Sequence, residues 1–114
     1  MIKTKNGTIL IAESNEELRQ YISNNLSSLF YLLEAKNGKE ALDILKRQEV
    51  NLIITNAIMP VIDGIKLCKL VKENLSTRHI PVYILSTKTD IESQLESFRV
   101  GADAVSYTHL TLPT

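Results

Sequence analysis

The run Leu52-Ile53-Ile54-Thr55-Asn56, followed by Ala57-Ile58-Met59-Pro60-Val61-Ile62-Asp63-Gly64, constrains this chain more than any other stretch. The run is short, apolar and rich in β-branched residues. It suits a strand buried on both faces of a parallel sheet. Polar Asn56 falls where that strand ends. A loop with Pro60 and an Asp63-Gly64 pair comes next, and then a helical pattern. In open α/β sheets ligands bind outside the carboxyl ends of the strands. Asn56 therefore stands where a site would lie.

The remaining segments repeat this alternation. Thr8-Ile9-Leu10-Ile11-Ala12 reads as a first buried strand, with Glu13-Ser14-Asn15 at its C-terminal end. Ser14 and Glu17 match a capping box that opens a helix. Leu18, Tyr21, Ile22, Leu26 and Leu29 give that helix its apolar face. Tyr31-Leu32-Leu33-Glu34-Ala35 reads as a second strand, and Asn37-Gly38 as a turn. Ala41, Leu42 and Leu45 mark a second helix, and Asn51–Asn56 is the third strand.

Ile65, Cys68 and Val71 share one face of a third helix, with Lys66, Lys69, Lys72 and Glu73 turned away from it. Ser76–His79 is a polar loop. Pro81–Ser86 is a fourth strand, with its proline at a tolerated first position. Thr89 and Glu92 match a second capping box. Ile91, Leu95 and Phe98 form the inner face of a fourth helix, and Gly101 is placed to end it. Ala102–Val105 starts a fifth strand. Strands alternating with helices across short connections predict a doubly wound α/β fold, helices covering both faces of a parallel sheet. The flavodoxin-like order is usual for so short a chain.

With 114 residues the chain has room for one domain around one core. Its formal net charge is zero, so bulk charge favours neither nucleic acid nor an anionic membrane as partner. No apolar run is long enough to span a bilayer, and the polar N-terminus is unlike a secretory signal. A cytoplasmic location is expected. Cys68 reads as a buried structural thiol. One Cys and two His give no metal-site spacing.

Three stretches together carry a family likeness: Ile9–Arg19, Ala35-Lys36-Asn37-Gly38-Lys39-Glu40-Ala41-Leu42 and Met59-Pro60-Val61-Ile62-Asp63-Gly64. Ile80–Ser86 and Gly101-Ala102-Asp103 fit as well. The chain resembles a response-regulator receiver domain of two-component signalling, most nearly in the style of receivers fused to hybrid sensor kinases. The resemblance implies a five-stranded sheet in the order 2-1-3-4-5 and a non-enzymatic signalling role. It also implies an Asp after the third strand that takes a phosphoryl group from a kinase histidine. Two acidic residues after the first strand would hold Mg²⁺ with it. A Ser or Thr after the fourth strand and a Lys after the fifth would contact the phosphoryl group.

The chain departs from this pattern at the acceptor itself, which is Asn56. The metal positions that the resemblance implies are Glu13, Ser14, Asn56 and Ile58, so one carboxylate survives. Ser86 keeps the switch hydroxyl. The Lys has no counterpart in Ser106-Tyr107-Thr108-His109. An amide, its electrons delocalised, is a far poorer nucleophile than a carboxylate. A unit charge pair at about 4 Å is worth roughly 4 kcal/mol at an effective dielectric near 20, so losing two weakens Mg²⁺ binding severely.

Val105–Thr114 continues no receiver pattern and resembles the translated read-through of a transposase adapter used in sequencing libraries. The expected division is therefore an N-terminal extension (1–7), a receiver-like domain (8–105) and a tail (106–114). On that reading a fifth helix is lacking, one sheet face loses its cover, and exposed apolar surface favours a homodimer.

Several residues have plainer readings. Ser14 reads as a helix cap, Asp63 as a turn former, His79 as a solvated loop residue and Met59 as packing. Glu13 is either a residual cation ligand or a solvated acid. Three functions stay open. One is a receiver that is not phosphorylated and binds a histidine kinase or an attached output domain. Another is a working acceptor that uses Ser14 or Thr55. The third is a nucleotide- or flavin-binding domain, against which the lack of a Gly-rich phosphate loop counts.

Overall fold

The computed structural model describes residues 5–86 and 91–107. Among these, five strands alternate with four helices: β1 (Thr8–Ala12), α1 (Glu16–Leu26), β2 (Tyr31–Ala35), α2 (Gly38–Leu45), β3 (Leu52–Asn56), α3 (Gly64–Glu73), β4 (Val82–Ser86), α4 (Ile91–Arg99) and β5 (Ala104–Tyr107). The sheet runs β2-β1-β3-β4-β5 with every neighbour parallel. This is the flavodoxin-like order that the resemblance implies.

Side chains alternate across the pleat, so the strand registers define two faces. On one, Leu10, Ala12, Ile53, Thr55, Val82, Ile84 and Ser86 are all buried. Their apolar members form the main core with Ala41 of α2 and with Leu67, Cys68 and Val71 of α3. Burial pushes the Cys68 thiol up to about 11, against the opposing pull of Lys72. The other face carries Ile9 and Ile11, buried, in register with Leu52 and Ile54, which are half-buried. Beyond Ile54 on this face comes Tyr83, 43% exposed. α1 packs on β1 and β2. Among the described residues, α4 is the last helix and β5 runs to Tyr107.

The helix starts differ in detail from the expected ones. Asn15, not Ser14, caps α1: its side chain accepts from Leu18 N at 3.0 Å. Ser14 is exposed, and Asn is as good a cap as Ser. Asn37-Gly38 is also a helix start rather than a free turn. Asn37 Oδ1 accepts from Glu40 N at 2.9 Å, and Gly38 is the first residue of α2. Asp63 likewise caps α3 through Lys66 N at 2.8 Å. β3 and β4 each begin one residue later than expected, at Leu52 and Val82. Asn51 instead closes the edge of β1 by accepting from Thr8 N at 2.8 Å.

The helix faces differ more. In α1 the buried residues are Arg19 and Ser23, whereas Tyr21 and Leu29 are exposed. Leu29 lies past the end of the helix, whose C-cap is Ser27. In α4 Ser97 is buried while Leu95 and Phe98 are exposed. Lys72 does not point to solvent. Its side chain is 19% exposed and its ammonium reaches Asp103 Oδ2 at 2.8 Å, with Ile80 O at 2.7 Å. A lysine stem packs along apolar surface when its head finds oxygen partners. Gly101 ends α4 at φ 99°, a conformation that glycine adopts without strain. The expected Thr89 cap lies outside the described residues, as does the side chain of Ile91.

Candidate functional site

The C-terminal ends of β1 and β3 meet over a buried carboxylate. Glu13 follows β1 directly and is 2% exposed. Its peptide is held on both sides: its N–H donates to Ala35 O at 2.9 Å, and its carbonyl accepts from Arg19 Nη1 at 2.9 Å. The side chain then points to the last residue of β3. Asn56 Nδ2 donates to Glu13 Oε1 at 2.7 Å. On its other side, Asn56 Oδ1 accepts from Ile58 N at 3.1 Å. A backbone N–H only donates, so the carboxamide oxygen must face Ile58 and the nitrogen must face Glu13. Both polar ends of Asn56 are therefore engaged, and the carboxylate has a donor in a place poor in water.

The loop after Asn56 is built to close tightly. Ile62 N donates to Pro60 O at 2.8 Å around Val61, which sits at φ 68°. This is a γ-turn with a positive central φ, a rare and strained form for a β-branched residue. Gly64 N donates to Ala57 O at 3.0 Å and seals the loop base. A Cβ at Gly64 would lie 1.9 Å from Asn56 O, so no other residue fits there. Ile58 and Val61 stand exposed at the mouth, while Met59 is buried beneath. Met59 is thus packing, as its residue type predicts.

The other expected site residues fall around this pair. Ser86 ends β4 and is buried; Asn56 registers with Leu85, one residue before it. Ser14 lies beside Glu13 in sequence but is exposed. Thr55 is fully buried, its hydroxyl donating to Asn56 O at 3.1 Å. His79 is exposed. Among the described residues no group of three or more His, Cys, Asp or Glu is placed to hold a metal. Glu13 is buried rather than solvated, and its Oε1 is bonded to Asn56 Nδ2. Sequence reasoning missed Arg19, whose only outward sign is a charged residue set beside the apolar Leu18 and Ile22 positions.

The comparisons with known proteins decide the family. The model of the response regulator receiver domain matches residues 9–106. This chain belongs to that family. The receiver is 41% identical over 96 residues to "Histidine kinase P4" of Formosa agariphila, covering 84% of this chain but 7% of that protein. It is 29% identical to "Chemotaxis protein CheY-3" of Vibrio cholerae over 90% of this chain and 80% of that one. Among solved structures, the signal receiver domain of a signal transduction histidine kinase from Syntrophus aciditrophicus superposes with a TM-score of 0.85. It is 30% identical and covers 90% of this receiver and 79% of that chain. The receiver spans 7, 24 and 39% of the length of the first curated relatives it matches. As a family, receivers bind Mg²⁺ and work with phosphorelay partners. Among the described residues, no helix is long and apolar enough to cross a membrane.

Proposed function

We propose that this receiver relays signals by protein contact and does not accept phosphate. The observation that carries the reading is the 2.7 Å bond from Asn56 Nδ2 to Glu13 Oε1. Where a phosphate-accepting receiver needs an ionised oxygen, Asn56 offers a neutral amide whose oxygen already faces Ile58 N–H. The amide is a poor nucleophile. Its N–H also takes the place beside Glu13 that a cation would need. Mg²⁺ seeks hard oxygens in near-ideal octahedral geometry, mostly water with one or two carboxylates. Here Glu13 Oε1 is occupied, Ser14 is exposed and Asn56 turns its nitrogen inward. The residues do not fit the ion, and Mg²⁺ binding is correspondingly weak or absent. The domain then acts as an interaction module for a histidine kinase or an attached output domain.

The test is incubation with a small phosphodonor and Mg²⁺, followed by intact mass. The expected result is no gain; one added phosphoryl group on the unaltered chain overturns the reading. Buried Thr55 is unavailable as a substitute acceptor, so any such gain should map to exposed Ser14. The double variant Asn56→Asp with Ser14→Asp should bind Mg²⁺ and regain metal-dependent phosphorylation in part. A double variant that binds no Mg²⁺ means that the site is misassigned.

A further inference from the structure

We infer that Arg19 is a positioning residue of this site: its guanidinium ties Glu34 on edge strand β2 to the Glu13 main chain and so holds the Glu13 carboxylate on Asn56. The inference rests on reading Glu13 and Asn56 as the site. Arg19 is 6% exposed, on a helix whose sequence pattern points apolar residues inward. Taking a guanidinium out of water is unfavourable unless its donors are used. Here Nε donates to Glu34 Oε1 at 2.9 Å, and Nη1 donates to Glu13 O at 2.9 Å. The two partners belong to different strand segments, one on β2 and one just past β1. A guanidinium is planar, so its two donors hold a fixed mutual geometry. Fixing Glu34 therefore fixes where the Glu13 carbonyl can lie.

Glu13 has little freedom left. Ala35 O holds its N–H at 2.9 Å, Arg19 holds its carbonyl, and its carboxylate also accepts from Asn15 N at 3.4 Å through Oε2. That side chain starts from a fixed peptide and reaches Asn56 at 2.7 Å. The result is one connected path of hydrogen bonds: Glu34, Arg19, Glu13, Asn56, Ile58. It runs from the half-exposed edge of the sheet to the loop at the mouth of the site. A lysine at position 19 carries a compact, rotatable ammonium without the guanidinium's planar fork, so it does not hold the two partners in one fixed mutual geometry. The conservative substitution is therefore the informative one.

The experiment follows the Asn56 side-chain amide by NMR in the ¹⁵N-labelled chain. Its proton bonded to Glu13 should resonate away from free carboxamides and exchange slowly with water. Arg19→Lys and Arg19→Met should each speed that exchange at least about tenfold, the scale of one lost charge-assisted hydrogen bond. Protection of the backbone amides of Leu10 and Ile84 should stay as in the parent. Glu34→Ala should act in the same direction, and Glu34→Gln, which keeps an acceptor for Nε, should restore most of the effect. Unchanged Asn56 exchange in the Arg19 variants overturns the proposal. So does loss of core protection in step with Asn56, which marks a merely structural role. If Arg19→Met does not fold, Arg19→Lys decides. This readout needs neither phosphate nor Mg²⁺, so it stands or falls separately from the phosphodonor and Mg²⁺ experiments.

Discussion

The two faces of the sheet use alternate residues of the same strands, yet they live in different environments. On β4, Ile84 is fully buried against the α2 and α3 side, while its neighbour Tyr83 is 43% exposed on the other. On β3, Ile53 and Thr55 are fully buried, while Leu52 and Ile54 are half-buried. β-branched and aromatic residues on both faces mark strands made to be covered on each side. Among the described residues, the face over β1 has that cover in α1, and the same face over β3 and β4 has less. The pleat alone therefore does not settle burial: it depends on which helix lies over which strand. The candidate site lies past the C-terminal ends of β1 and β3, where Glu13 is buried.

Truncation along β4 is the strongest way to break this contrast. Ile84→Ala should lower unfolding free energy by about 2–5 kcal/mol, the range for a large aliphatic deleted from a packed core. Tyr83→Ala should change it by about 1 kcal/mol or less, as for a partly exposed side chain. Denaturant titration of the two variants reads the difference, and equal losses would mean that the second face is as closely packed as the first.

A smaller effect is expected from charge. Tyr83→Lys should leave the midpoint of unfolding nearly unchanged but raise the concentration at which the chain self-associates, read by sedimentation. No change in association would show that the half-open face does not join copies of the chain.

Acid titration sharpens the comparison at the other end of β4. Burial tends to raise the Asp103 carboxyl, but hydrogen bonds from Lys72 and Val82 N–H, with the Lys72 charge, win and hold it below 3.8. A lowered carboxyl stabilises the fold above its unfolded-state value and ceases to as pH falls through the folded one. Asp103→Asn should therefore cost a little stability at neutral pH and reduce the extra loss seen below about pH 4. The smallest effect concerns Cys68. With its thiol raised to about 11 and its side chain buried, it should resist alkylation at pH 8 until the chain unfolds. Rapid labelling of the native chain would show that the covered side opens.

Much of the architecture was legible because each strand is a short apolar run bounded by polar residues, as Thr8–Ala12 and Leu52–Asn56 are. The sheet order came from the family resemblance and not from spacing, since a period of two says nothing about neighbours. The helix faces were less legible. Arg19, Ser23 and Ser97 are buried at positions beside those where periodicity places apolar residues, and Phe98 is exposed where it places a core one. Periodicity counts only residue type, whereas a buried guanidinium needs partners that are distant in sequence. The cap of α1 slipped by one residue because Ser14 and Asn15 both suit the role. At the candidate site, the sequence singles out Glu13 and Asn56 one by one, but their bond joins residues 43 apart and no local pattern encodes it.

The order of the strands also bears on how the chain comes together. β1 is made first yet lies between β2 and β3, its partners on either side. A nascent chain that has emerged only as far as β2 carries one hydrogen-bonding flank of β1 bare until Leu52–Asn56 arrives. Such non-local pairing is entropically slow, and an exposed apolar strand is a template for pairing between chains. During synthesis, the interval between β2 and β3 thus leaves that flank of β1 open to pairing with another chain.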